Sequence, residues 1–393
     1  MDGRSFDNPV AWVGSGYQSP DPEPDPTPLP DANPPPANRF ERELGKDGKP
    51  PKVLASEPSH ERGWVLGRFD PPHLGHQHLF DFARLMVKTL VIGIKVTDKD
   101  HIPIERRVEW LREMAPTAQI VELRGVPAVD EIDFAKTLGV ILGSMGALPT
   151  HIFASEPYMR AFAENIGAAL IPNDPDRLSQ SARACDVRMD PYAHFDQLPA
   201  GVRAYYAGRF ALVGPDGVGK TMLANVLAKH YQTVFAQEHL RVDPSAQTML
   251  RTISGTLELM AIQQARIEAM ARQCRRIVIC DSEPLSLGVW YEQLTGRSDF
   301  PFEKVAKKYK ADRYFYVAKY DQTSREPKRA KFEARLRDIL WLTDVRRDEV
   351  VWTAVAEADA NDPKKNYMLN KACASIDELL LRLKSNGRRH LSP

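Results

Sequence analysis

The stretch RFALVGPDGVGKTMLANVLAKHY, Arg209–Tyr231, runs from a short apolar strand through a glycine-rich turn into a helix. Its centre, Gly214-Pro215-Asp216-Gly217-Val218-Gly219-Lys220-Thr221, has the spacing GxxxxGK[ST] of a phosphate-binding P-loop. The glycines let backbone N–H groups turn inward around phosphate oxygens, and the helix start adds the positive end of its dipole. Lys220 would neutralise the β and γ phosphates of a nucleoside triphosphate, and the Thr221 hydroxyl would reach Mg²⁺. A strand that feeds a helix in this way opens a parallel α/β layer, so the stretch sets the fold class of the C-terminal half.

Outward from it, the same alternation recurs in both directions. Downstream, RIVICDS, RYFYVAKY and EVVWTAVAE read as strands with helical segments between them. Upstream, from Arg62, WVLGRF reads as a strand and His76–Val87 as a helix; LVIGIKV is a buried strand, IERRVEWLREM a helix, and AQIVELR and HIFAS are further strands. The pattern restarts near Ala207, which predicts two parallel-sheet α/β domains, residues 62–206 and 207–393. Residues 1–61 differ in kind. SPDPEPDPTPLPDANPPPANRF alternates proline with acidic residues and has little apolar surface to bury, so it reads as a disordered arm.

The upstream domain carries its own motif, GRFDPPHLGH, Gly67–His76, of the form GxFxPxHxGH. Two imidazoles this close, His73 and His76, can ligate a metal, work as acid and base, or hold an anion. A strand ends before them and a helix starts at them, which places His76 at the positive end of a helix dipole and aims His73 at the same concavity; Gly75 lets the backbone approach closely. Helical metal ligands usually sit at i and i+4, a spacing this pair lacks. The motif therefore favours the phosphates of a nucleotide, whose charge the imidazoles would stabilise during displacement at phosphorus.

Composition narrows the partners. With 53 Lys and Arg against 52 Asp and Glu, the net charge of +1 supplies no basic field of the kind that drives nonspecific nucleic-acid or membrane binding. Small-molecule substrates fit better. The four cysteines form no CxxC, which argues for reduced thiols in a cytoplasmic compartment and against a zinc site. The first ten residues, MDGRSFDNPV, lack the basic and apolar regions of a secretory signal, and no apolar run reaches membrane-spanning length. Homo-oligomer formation is left open.

The histidine stretch is similar to the signature of the nucleotidyltransferase superfamily, and its pairing with a downstream P-loop domain resembles the bifunctional nicotinamide-mononucleotide adenylyltransferase and ribosylnicotinamide kinase family, the NadR type. ERRVEWL (105–111), IFASEP (152–157), NDPDR (173–177), VRMDPYAHFDQLP (187–199), QEHLR (237–241) and ICDSEP (279–284) support the resemblance, which extends from about Arg62 to Leu383. It implies a Rossmann-like nucleotidyltransferase followed by a P-loop kinase, with ATP as substrate and Mg²⁺ as cofactor. The first would join the 5′-phosphate of nicotinamide mononucleotide to the α-phosphorus of ATP and release pyrophosphate. His73 and His76 would act on the ATP phosphates and Arg188 on the leaving pyrophosphate, with ATP contacts from Gly67, Arg68, Phe69 and Gly75. Arg107 and Trp110, three apart on one helical face, would hold the mononucleotide phosphate and stack on the pyridinium; a core role for Trp110 stays open. Asp176 and Arg177 match a family loop without an assigned role.

The second domain would transfer the γ-phosphoryl group of ATP to ribosylnicotinamide. Asp281 would orient Mg²⁺ or the hydroxyl, Glu283 is a second candidate, and Glu238 and Arg241 would contact the nucleoside; each also fits an ordinary strand-end polar residue. The chain departs from the family in two places. A Ser-x-Thr-x-x-Arg-like phosphate loop is replaced by Arg183-Ala-Cys185-Asp-Val-Arg188, with Arg183 as a charged substitute and Ser179 or Ser181 as further donors. The family's longer lid with a Trp and Asp-Gly-x-Arg is replaced by DQTSREPKRAKFEARL, which runs into an amphipathic helix and offers Arg325, Lys328 and Arg329 to cover the γ-phosphate. Rival readings are a different phosphorylated acceptor with a P-loop ATPase, or a regulator that senses NAD or ATP. The regulator is weakened because residues 1–60 show no helix-turn-helix pair.

Overall fold

The structure is a computed structural model that describes residues 60–125, 131–144, 146–156, 158–176, 178, 183–320, 327–342, 350–356 and 364–386. The expectation for the proline-rich arm therefore lies outside the described residues, apart from His60 and Glu61, which open the first strand.

The first half alternates strand and helix: β1 (His60–Gly67), α1 (Leu74–Met86), β2 (Val87–Lys95), α2 (Ile104–Met114), β3 (Gln119–Leu123), α3 (Glu131–Ser144), β4 (His151–Ala154), α4 (Met159–Ile166) and β5 (Ala169–Pro172). The strands form a five-stranded sheet in the order β3-β2-β1-β4-β5. Every pair is parallel, with Val65 opposite Ile92 and Trp64 opposite Ile152. Helices on both faces bury both sides of each central strand. Val65, Ile92 and Ile94 pack on one face with Phe80 and Leu111, while Trp64, Val91 and Ile152 pack on the other with Leu138 and Phe162. Such double burial explains why LVIGIKV is nearly continuously apolar.

Two short helices, α5 (Ala184–Met189) and α6 (Ala200–Tyr206), lead into the second half. It contains β6 (Gly208–Val213), α7 (Lys220–His230), β7 (Val234–Ala236), α8 (His239–Val242), α9 (Ile253–Ala271), β8 (Ile277–Asp281), α10 (Pro284–Thr295), α11 (Phe302–Val305), β9 (Arg313–Tyr320), α12 (Pro327–Leu342), β10 (Val350–Ala356) and α13 (Lys364–Asn386). Its sheet has the order β10-β9-β6-β8-β7 and is also parallel throughout. The amphipathic helix read after the shortened lid is α12, with Phe332, Leu336, Ile339 and Leu340 buried.

The chain is thus an α/β protein of two parallel sheets. The expected boundary at 206/207 falls between α6 and β6, yet the two sheets belong to one compact unit beginning at Pro58. Trp110 of α2 packs edge-on against Tyr205 of α6, with ring centroids 5.3 Å apart. Arg272, just past α9, pairs with Glu113 of α2 at 2.5 Å. Among the described residues, no helix is long and apolar enough to cross a membrane.

Candidate active sites

In an open parallel sheet, the crevice beyond the strand ends where the winding direction reverses is the usual ligand site. In the first sheet that point lies between β1 and β4, and GRFDPPHLGH follows β1 directly. His73 caps α1 with extended backbone (φ −139°, ψ 173°), and His76 stands in its first turn. The two rings lie against each other at a tilt of 32°, with centroids 3.8 Å apart. The His73 amide donates to His76 Nδ1 at 3.1 Å. A neutral His76 therefore carries its proton on Nε2, which makes that nitrogen a donor.

His73, Gly75 and His76 line a cleft of about 110 Å³ together with Ser155, Glu156 and Asn173 from the β4 and β5 ends. His78, which the sequence reading passes over, lines it as well. Among the described residues, no group of three His, Cys, Asp or Glu side chains is arranged to hold a metal ion. Arg188 reaches the signature loop from α5. Its Nε donates to the Asp70 carbonyl oxygen at 2.8 Å, and about a quarter of its side chain is exposed. Arg183 caps α5 and is exposed, while its neighbour Ala184 lines the cleft. Asp176 is exposed. Arg177, Ser179 and Ser181 lie outside the described residues.

A second pocket of about 550 Å³ is lined by Arg68, Lys95, Thr97, Phe134, Met159 and Phe162, with Lys95 Nζ 4.3 Å from the centre of the Phe134 ring. Gly67 and Arg68, expected to contact ATP, face this pocket rather than the histidine cleft. Gly67 has a packing reason to be glycine, since a Cβ there would come within 2.9 Å of the Phe69 ring. Phe69 is itself buried, edge-on to His76 with centroids 4.9 Å apart, so it supports the imidazole instead of lining the cleft.

The structure corrects the roles expected of Arg107 and Trp110. Arg107 is 1% exposed, and its guanidinium is taken up by the Arg68 carbonyl oxygen at 2.6 Å and the Asp100 carboxylate at 2.8 Å. Trp110 is 3% exposed and packs on Tyr205, so its ring has no open face for a pyridinium. Helical spacing put both side chains on one face without revealing that the face points inward.

Two carboxylates that sequence reasoning missed organise this region. Asp70 is fully buried and accepts the amides of His101 and Ile102, each at 3.0 Å. Asp100 accepts from Thr97 N, Thr97 Oγ1, Arg68 and Arg107. Burial alone would raise the Asp100 carboxyl, but these bonds and the Arg107 charge outweigh it and hold the pKa below its ordinary value. Asp70 stands inside the quoted motif, but its partners come from a loop about thirty residues away.

In the second sheet the glycine turn joins β6 to α7. Gly214, Gly217 and Gly219 have φ of 142°, 74° and 93°. A Cβ on Gly214 would collide with the Val317 carbonyl oxygen of β9, so only glycine fits. Lys220 is 4% exposed and donates to the Gly214 and Pro215 carbonyl oxygens, each at 2.9 Å. Burial pushes its pKa down, against the upward pull of Glu238, Asp216 and Asp281. Val218 is buried in the core, and Asp216 is exposed.

Asp281 ends β8, where its backbone pairs with Leu212 beside the turn, and it is fully buried. Burial raises its pKa, while the nearby Thr221 hydroxyl, Arg241 and Lys220 lower it. Close as they are, Thr221 Oγ1 and both Asp281 oxygens lack a well-formed hydrogen bond to any described residue. Buried oxygens left so are costly, and hard oxygen donors of this type suit Mg²⁺. The pair fits the ion that the motif implies. Glu238 is 7% exposed and accepts from Arg241 Nε at 3.1 Å; burial raises its pKa against the pull of Lys220.

Glu283 is corrected. Its carboxylate accepts from Leu285 N at 2.6 Å, Ser286 N at 2.8 Å and Ser286 Oγ at 2.7 Å, so it caps α10 instead of facing a substrate. Of the expected lid cations, Arg325 lies outside the described residues and Lys328 is exposed. Arg329 Nη2 comes within 3.9 Å of where a Cβ on Gly217 would stand, over the glycine turn.

A cytidylyltransferase-like family model matches residues 64–140, and an AAA domain model matches residues 209–354. The trifunctional NAD biosynthesis/regulator protein NadR of Salmonella typhimurium strain LT2 is 23% identical over 199 residues, 46% of this chain and 48% of that protein. The protein of the same name from Escherichia coli K12 is 24% identical over the same shares. Over that stretch the chain is similar in sequence to the NadR proteins. It spans about half the length of these curated NadR relatives. A crystal structure of a NadR protein in complex with NR covers 85% of this chain and 99% of its own at 17% identity, with a TM-score of 0.61. Another, in complex with NAD and AMP-PNP, covers the same shares at 18% identity with a TM-score of 0.59. At these identities the likeness to solved NadR structures shows a shared fold of two α/β halves.

Proposed function

We propose that the chain makes NAD in two ATP-dependent steps, one on each sheet. The second half phosphorylates ribosylnicotinamide to the mononucleotide, and the first half adenylylates the mononucleotide to NAD with release of pyrophosphate. Reactions of both types are implied by the resemblance of the motifs and are consistent with the NadR relatives and with the NR, NAD and AMP-PNP named in the solved complexes. The observation that carries the reading is the presence of two separate candidate anion cradles, the closely packed His73–His76 pair beyond β1 and the Lys220 turn beyond β6, each at the carboxyl end of its own sheet.

In the adenylyl-transfer cleft, His73 and His76 place imidazole donors against the α- and β-phosphates, where charge builds as the acceptor phosphate attacks phosphorus. Arg188, braced on the Asp70 carbonyl oxygen, receives the leaving pyrophosphate. No covalent intermediate on the chain is required; positioning and charge stabilisation suffice. The acceptor takes the larger pocket next to the cleft, where Arg68 and Lys95 meet the aromatic wall.

In the phosphoryl-transfer site, Lys220 exchanges its two loop carbonyls for the β- and γ-phosphate oxygens. Thr221 and Asp281 would hold Mg²⁺, which when bound would supply charge neutralisation for the phosphates. Glu238 faces the acceptor hydroxyl, and Arg329 closes over the γ-phosphate from α12. Purified chain incubated with ATP, Mg²⁺ and nicotinamide mononucleotide is expected to yield NAD and pyrophosphate. With ribosylnicotinamide as acceptor it is expected to yield ADP and the mononucleotide, which the first half carries on to NAD. Failure to form any pyridine nucleotide in both incubations would overturn the reading.

A further inference from the structure

Gln263 is 2% exposed on α9, a nineteen-residue helix outside both nucleotide motifs. A buried carboxamide costs free energy unless its groups are paired. Here both are. Its Oε1 accepts the His239 amide at 2.8 Å, and its Nε2 donates to the Gln237 carbonyl oxygen at 3.3 Å. The orientation of the amide is unambiguous, because a backbone N–H can only donate and a carbonyl only accept. The two peptide groups that Gln263 grips belong to the residues on either side of Glu238. A third bond, from Arg266 Nε to His239 Nδ1 at 3.2 Å, ties the same stretch one turn further along α9. The helix is itself anchored: Glu268 takes the Arg209 guanidinium through both oxygens, at 2.8 and 2.6 Å.

We infer that Gln263 is a positioning residue for phosphoryl transfer, one that fixes the backbone on both sides of Glu238 so that its carboxylate stands opposite Lys220 and Asp281. The inference rests on the kinase reading above. Glu238 has few other ways to hold its place, since β7 before it is three residues long and α8 after it four. An error of about 1 Å in such a group can cost on the order of 100-fold in rate.

The test uses the full chain and a double-mutant cycle of Gln263→Met with Glu238→Gln, and compares Gln263→Glu, which keeps the acceptor for the His239 amide. Phosphorylation of ribosylnicotinamide and adenylyl transfer to the mononucleotide are measured on the same samples, so the second activity reports folding. Gln263→Met is expected to lower the phosphoryl-transfer kcat about 10- to 100-fold, with the KM for ATP within about threefold and adenylyl transfer unchanged. Gln263→Glu is expected to recover part of the loss. In the Glu238→Gln background, Gln263→Met is expected to add little, because both changes remove one contribution. An equal loss in both backgrounds, or a kcat within about twofold of wild type, overturns the inference. If wild type hydrolyses ATP without phosphorylating the nucleoside, the acceptor assignment fails, and the same cycle on ATP hydrolysis must show the same non-additivity.

Discussion

His76 owes its role to two neighbours, the His73 amide that occupies Nδ1 at 3.1 Å and the Phe69 ring that packs edge-on against it. The first directs the Nε2 proton outward, and the second keeps the ring from swinging into the core. His76→Ala is expected to lower adenylyl-transfer kcat by about 100- to 1000-fold, the usual cost of one charge-stabilising donor, with phosphoryl transfer intact. Parallel NAD and ADP assays on one preparation check this, and equal loss of both would point to misfolding instead. Arg329 makes the reciprocal case. It stands over Gly217 from a segment with no family lid motif. Arg329→Ala is expected to lower phosphoryl-transfer kcat by about 100- to 1000-fold and to leave adenylyl transfer unchanged. His73, His76 and Lys220 stood out in the sequence as candidates because their chemistry is local: a helix start and two or three neighbours define it. The burial of Arg107 did not show there, because a cation exposed to a ligand and a cation buried against Asp100 share the same helical spacing.

Among the elements, α10 and α12 show what sets the second site. α10 begins three residues after Asp281, and its N-terminus is closed by the Glu283 carboxylate. α12 is bound to it through a two-point pair from Arg335 to Glu292, at 2.6 and 2.9 Å, and through Phe332 on Trp290, 4.5 Å between centroids. Arg329 is therefore delivered by a helix already docked on the element that follows Asp281. Burial pushes the Glu283 carboxyl up to about 7 from an ordinary 4.5. A carboxyl raised in the folded state contributes its full stability below the unfolded pKa and loses it as pH climbs through the folded pKa. Glu283→Gln does not titrate. It is thus expected to gain stability relative to wild type as pH rises from about 4.5 to about 7, by roughly 3 kcal/mol at most. Denaturant unfolding of both proteins at pH 5 and pH 7.5 checks this; a difference independent of pH would refute it. The long strands and helices were readable from periodicity, whereas β7, with three residues, is too short to show any.

Across the molecule, α2 and α6 connect the two sheets. Trp110 lies at that contact against Tyr205, and Gly201 of α6 lets the backbone come close: a Cβ there would lie 2.8 Å from the Trp110 ring and 2.5 Å from Glu113. Trp110→Ala is expected to destabilise the chain by about 3–5 kcal/mol, as core aromatic truncations do, and to lower the Tm with losses in both activities. Were Trp110 a stacking platform, the variant would raise the KM for the mononucleotide at an unchanged Tm. Calorimetry and steady-state kinetics on the same variant separate these outcomes.

Strand-helix alternation, the glycine turn and the histidine signature could be read from the chain alone, because each depends on residues within one or two turns of one another. They were enough for the parallel α/β class and for two candidate phosphate cradles. Folding decided which of the polar residues nearby are taken up by the chain's own groups. Asp70 collects amides from His101 and Ile102, Asp100 claims Arg107, Glu283 closes a helix, and Gln263 grips the flanks of Glu238. The Glu283 cap is local, but the Asp70 and Gln263 pairings join distant segments, and which of all these groups is buried depends on which surfaces pack together, a property that no local pattern of residues records.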